Sequence, residues 1–138
     1  MPCTYHFKKK PGLLIEVFWG NVTLSEALSM YDRLLADPKL PNARFEYCDL
    51  SGIEETNLDA RSMKKLFDIL SGQYLRRLNT FERGATIADS GPSQFIAHRY
   101  RLSLPEEIAS KVKIVATHEE ALDWLGLATS PIMSIASN

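Results

Sequence analysis

The chain has 138 residues, enough for one domain of ordinary size with a real core. Hydrophobic residues make up 45% and charged residues 24%, which places it among globular proteins and against disorder or coiled coil. The 16 basic and 17 acidic side chains leave a net charge of −1, which argues against a nucleic-acid binder.

Near the N-terminus, Tyr5 to Lys8 alternates apolar and polar side chains, the pattern of a half-buried strand. Lys10-Pro11-Gly12-Leu13 predicts a type II turn, since proline presets φ and glycine accepts a positive φ. Leu13 to Trp19 is the second strand, with Leu13, Ile15, Val17 and Trp19 on one face and Leu14 and Phe18 on the other. Thr23-Leu24-Ser25-Glu26 is a capping-box pattern that opens a helix. Its apolar stripe is Leu24, Ala27, Leu28, Tyr31, Leu34 and Leu35, and Asp37-Pro38 stops it.

Arg44 to Leu50 predicts a third strand ended by Ser51-Gly52. A helix over about Asp59 to Leu78 follows, with Met63, Leu66, Phe67, Leu70 and Tyr74 inward. Lys64, Lys65, Asp68, Gln73, Arg76 and Arg77 are expected to face water, and Gly72 to weaken or bend the helix. Gly84 to Ala88 is short, apolar and uncharged, as a central strand is. Ser90-Gly91-Pro92 opens a helix with Phe95, Ile96 and Tyr100 on its apolar side. Glu106 to Ser110 adds a helical turn after Pro105, and Val112 to Ala116 is the fifth strand. Thr117-His118-Glu119-Glu120 repeats the capping-box pattern, and Gly126 closes the last helix. Residues 127–138 form a C-terminal tail without charged side chains, in which Ile132-Met133 is apolar.

The predicted order is therefore β-β-α-β-α-β-α-β-α, an α/β fold with a mostly parallel mixed sheet and an antiparallel first hairpin. Cys3 and Cys48 lack partners at metal-ligand spacing, and the default is two free thiols. Met1 to Lys10 lacks the apolar core of a signal peptide, and no apolar run approaches the ~20 residues of a membrane helix. A cytoplasmic protein without a membrane span, metal or cofactor is expected.

Three strings resemble the STAS fold, in particular the small stand-alone SpoIIAA-like proteins. They are Leu14 to Thr23 (LIEVFWGNVT), Asp49 to Gly52 (DLSG) and Thr117 to Gly126 (THEEALDWLG). With the element order, the likeness spans roughly residues 5 to 127, and it implies one STAS-like domain over 1–138 with 127–138 as a tail. In the regulatory members a serine after an aspartate, at the start of the helix following the third strand, is phosphorylated by a partner kinase. If Asp59 matches that aspartate, Ala60 takes the serine's place, and alanine cannot be phosphorylated. Glu54 and Glu55 would also repel a phosphate nearby, and Ser62 or Ser51 is the substitute candidate for a phosphosite. The resemblance implies a binding fold rather than a chemistry.

Ligands of open parallel sheets tend to bind beyond the carboxyl ends of the strands. Asp49, Ser51, Asp89, Ser90 and His118 lie at such ends and form the candidate ligand or partner site. One reading makes them a hydrolase cluster; the other makes them cap and turn residues, chosen for local hydrogen bonding. No nucleophile-elbow or phosphate-loop motif accompanies them. His118 falls in the first turn of the last helix, where the dipole disfavours the imidazolium, and His6 and His98 are read as surface residues. The expectation is a non-enzymatic, regulatory interaction module that binds a protein partner or a small apolar, lipid-like ligand. Pairing with itself, a small hydrolase and a phospho-regulated switch stay open as alternatives.

Overall fold

The computed structural model describes residues 2–77 and 79–127, apart from the side chains of 73–76. Five strands form one sheet in the order β1-β2-β3-β4-β5: β1 (Cys3–Lys8), β2 (Leu13–Val22), β3 (Phe45–Thr56), β4 (Arg83–Ile87) and β5 (Val112–Val115). β1 runs antiparallel to β2, and the other neighbours are parallel. The helices are α1 (Leu24–Ala36), α2 (Ala60–Arg76), α3 (Gly91–Ser103), α4 (Glu106–Ala109) and α5 (His118–Leu125), with a 3-10 turn at Leu40–Asn42.

Strand alternation divides the core in two. Leu14, Phe18 and Leu50 point to the face covered by α1, α2 and α3, where they meet Met30, Leu66 and Ile96. Leu13, Ile15, Tyr47 and Ile87 point to the opposite face, under Ala121, Leu122 and Leu125 of α5. A smaller cluster of Phe81, Leu104, Ile108 and Val112 closes the edge beside α4. Helices thus cover both faces of the central strands, which accounts for the large apolar groups on both sides of β2.

The β1–β2 turn differs from a type II turn. The Lys10–Pro11 bond is cis, and the Gly12 amide donates back to the Lys8 carbonyl at 3.2 Å. Gly12 keeps the positive φ expected of it, +89°. Its carbonyl accepts from the amides of Arg44 (2.7 Å) and Phe45 (3.0 Å), tying the hairpin to the start of β3. A Cβ there would also lie 3.1 Å from the Asn42 carbonyl oxygen. Gly12→Ala is therefore expected to cost about 1–2 kcal/mol, read as a lower midpoint in urea denaturation with an unchanged slope.

β3 does not stop at Ser51-Gly52 but runs on to Thr56. β2 is longer too, and its register against β3 shifts between Val17 and Trp19, so that Trp19 pairs with Gly52. The missing side chain permits this crossing, because a Cβ on Gly52 would lie 3.0 Å from the Phe18 carbonyl oxygen. Trp19 is 42% exposed rather than in the core. It lies past the register shift, near the end of β2.

Helix boundaries follow the caps. Thr23 and Thr117 accept from the amides of Glu26 and Glu120, and Gly126 closes α5 at φ +70°. The glutamate carboxylates accept from the threonine hydroxyls instead of from the cap amides. The reciprocal box forms at Ser90 and Ser93 instead. α2 continues through Gly72, whose surroundings are open. Phe95 points outward, 44% exposed, under the Arg99 guanidinium at 5.3 Å. Arg77, expected in water, is 6% exposed just past the end of α2, where it reaches the Ala43 carbonyl at 3.1 Å. The expectations for Gln73, Tyr74, Arg76, Leu78 and the tail from 128 lie outside the described residues.

Candidate functional site

The parallel register sets Asp49 beside Ile87 and Ile87 beside Val115, so the ends of β3, β4 and β5 form one row. Along it the polar side chains serve separate local partners. Asp49 Oδ1 accepts from the Ser51 amide at 2.9 Å and from its hydroxyl at 2.6 Å, an Asx-type turn inside β3. Ser90 caps α3 with Ser93, and Asp89 is exposed just before it. His118 Nδ1 and the Tyr47 hydroxyl share a hydrogen bond of 2.7 Å, and the rings meet edge to face. Burial, followed by the charge of Asp49, pushes the Tyr47 hydroxyl well above its usual pKa, so it stays protonated. Ser62 sits in the first turn of α2, where its amide donates to Asp59 Oδ1 at 2.8 Å. His6 and His98 are exposed.

A second set of polar groups lies inside the molecule, on the face covered by α1 to α3. Glu16 follows Leu14 on β2 and is 2% exposed. Around it stand Tyr31 of α1, Glu46 and Cys48 of β3, and Arg77. Arg77 Nη1 lies 3.7 Å from Glu46 Oε2, and both residues are buried. Glu16 Oε2 finds no hydrogen-bond partner.

Burial pushes the Glu16 carboxyl well above its usual range, and the neighbouring Glu46 carboxyl adds to the effect. Tyr31 and Arg77 pull the other way without prevailing, so the site favours the protonated form of Glu16. Burial, then the nearness of Glu16, raises the Tyr31 hydroxyl as well. The Cys48 thiol is raised by burial and by Glu16, which makes it a poor nucleophile. Cys3 and Cys48 are both free thiols.

Glu16, Tyr31 and Cys48 of this set line a cavity of about 40 Å³ between the sheet and the three helices. Phe18, Leu50, Ile53, Leu66 and Phe67 make its apolar wall, and Glu16, Tyr31, Cys48, Thr86 and Tyr100 supply its polar atoms. By this measure a single water needs about 10–15 Å³, so a few heavy atoms fit without movement. A larger guest has to part the helices.

Sequence reasoning passed over this cavity and looked to the strand ends. The available signal was the position of Glu16, a lone acid between Ile15 and Val17 in a strand apolar on both faces. Glu46, between Phe45 and Tyr47, repeats it one strand over. Among the described residues, no group of His, Cys, Asp and Glu is placed to hold a metal ion, and no helix is long and apolar enough to cross a membrane.

A parallel four-strand run with an antiparallel edge strand, α1 to α3 on one face and α5 on the other, is the SpoIIAA-like α/β fold. The same fold is seen in the crystal structure of an uncharacterised protein of the DUF3478 family from Shewanella loihica PV-4. The two superpose with a TM-score of 0.56 at 18% identity, over 89% of this chain and 93% of that one. No family model and no curated protein matches the sequence.

Proposed function

We propose that the chain is one STAS-like, non-enzymatic regulatory module that takes a small apolar ligand into the cavity beneath α1, α2 and α3. The observation carrying this reading is an apolar cavity whose floor holds a buried carboxyl with an unpartnered oxygen. Small-molecule sites are typically apolar with a few polar groups that fix orientation, and this cavity has that composition. The strand ends support the non-enzymatic part. Asp49 is engaged by Ser51, His118 by Tyr47, and Ser90 by Ser93, so the candidate acid, base and nucleophile are committed to different neighbours. Nucleophilic catalysis needs the base within reach of the nucleophile.

Ala27 lies fully buried on the cavity wall, and a larger side chain there competes with a ligand for the same space. Native mass spectrometry of the protein from its own cells is expected to show a small apolar adduct that Ala27→Leu loses while remaining folded. A bare chain mass for the wild-type protein would contradict the reading.

A further inference from the structure

Glu16 adds a selectivity that an apolar cavity alone lacks. Its carboxyl is buried, Glu16 lines the cavity, and its Oε2 has no hydrogen-bond partner. A buried acceptor left unmatched costs free energy, which a guest recovers only by donating a hydrogen bond. Resting on the ligand-binding reading above, we propose that the cavity selects amphiphiles with an uncharged hydroxyl head, whose O–H donates to Glu16 Oε2.

Two features of the surrounding charge single out that head. The Glu16 and Glu46 carboxyls are in hydrogen-bonding contact, and Glu16 Oε2 has no partner. Glu46 in turn lies beside the Arg77 guanidinium, 3.7 Å away, so this acid already faces a cation. A carboxylate head would add an uncompensated negative charge next to two acids. An ammonium head would add a second positive charge near the Arg77 guanidinium. Burying either charge unpaired is costly, whereas a hydroxyl brings none. An ether of the same size has to part the helices just as far but has no proton to give.

The test is isothermal titration of the full chain at neutral pH with 1-hexanol, methyl pentyl ether, hexanoate and hexylammonium. The expected result is 1-hexanol bound at least about tenfold more tightly than each of the other three. Glu16→Met is expected to bring 1-hexanol down to the level of the ether. Glu16→Gln, which retains a carbonyl acceptor, is expected to keep most of the preference. A smaller ratio in the wild-type protein, or a preference that survives in Glu16→Met, overturns the hydroxyl assignment while leaving the cavity as an apolar site. Binding of none of the four probes overturns the hydroxyl assignment and the ligand-binding reading together. The wild-type probe series stands by itself should Glu16→Met fail to fold.

Discussion

Glu16→Gln is expected to gain stability relative to the native protein as pH rises above the unfolded carboxyl value of about 4.5. A carboxyl whose folded pKa lies above its unfolded value of about 4.5 binds more protons folded than unfolded. Its favourable contribution is complete below the unfolded value and is lost as pH rises through the folded one. Within that window the native protein loses up to about 1.4 kcal/mol per pH unit on account of this one group. The glutamine is neutral throughout and carries no such loss. Asp37 and Asp59 have lowered values, Asp37 chiefly through the Lys39 amide and Asp59 chiefly through the Ser62 amide. They act in the opposite sense, contributing above their unfolded values and losing that contribution as pH falls. Both are present in the native protein and the variant, so the difference between the two isolates Glu16. Urea denaturation across the pH series measures it, and parallel curves would show that Glu16 ionises in the folded protein as it does in water.

Arg77→Met is expected to cost about 3–5 kcal/mol, the usual penalty for removing one member of a buried ion pair. The guanidinium lies 3.7 Å from Glu46 Oε2 and holds the Ala43 carbonyl at 3.1 Å. Without it the buried Glu46 carboxyl is left beside Glu16 without this ion pair. The double variant Arg77→Met with Glu46→Leu removes the stranded acid and is expected to recover most of the loss. Denaturation midpoints of the three proteins decide the matter. A double variant no more stable than Arg77→Met alone would mean that Arg77 acts through packing or the Ala43 carbonyl instead.

Local chemistry was the legible part of the sequence. Thr23, Ser90, Thr117 and Gly126 mark helix ends because capping depends on one side chain and the next few amides. The order of strands and helices, the antiparallel hairpin and the parallel remainder followed from spacing. What depended on distant residues was not legible. Ser51-Gly52 reads as a strand end, but β2 shifts register there and uses the bare glycine to pass, so β3 continues. Arg77 has the composition of a solvated helix end, yet its charge is drawn inside by Glu46 from a strand 31 positions earlier. Phe95 sits on the apolar side of its helix by spacing alone, but the packed side of α3 is set by Ile96 and Ala97.

The site shows the same division. Asp49, Ser51, Asp89, Ser90 and His118 drew notice because polar residues at strand ends are common in functional clefts. Three of them are engaged by near neighbours in sequence, and His118 finds Tyr47 across the sheet face. Glu16 drew none, because a single acid in an apolar strand has no meaning until its neighbours are known. Its significance comes from the convergence of three elements, with Tyr31 on α1, Glu46 on β3 and Arg77 just past α2.

The most direct test of the cavity as the ligand site is a methyl-labelled NMR titration of the wild-type protein with 1-hexanol. The account predicts saturable shifts at Val22, Leu50, Ile53, Leu58, Leu66 and Ile96, which line the cavity. It predicts none at Ile15, Ile87, Leu122 and Leu125 on the opposite face of the sheet. Shifts confined to the α5 face, or none at saturating 1-hexanol, would contradict it.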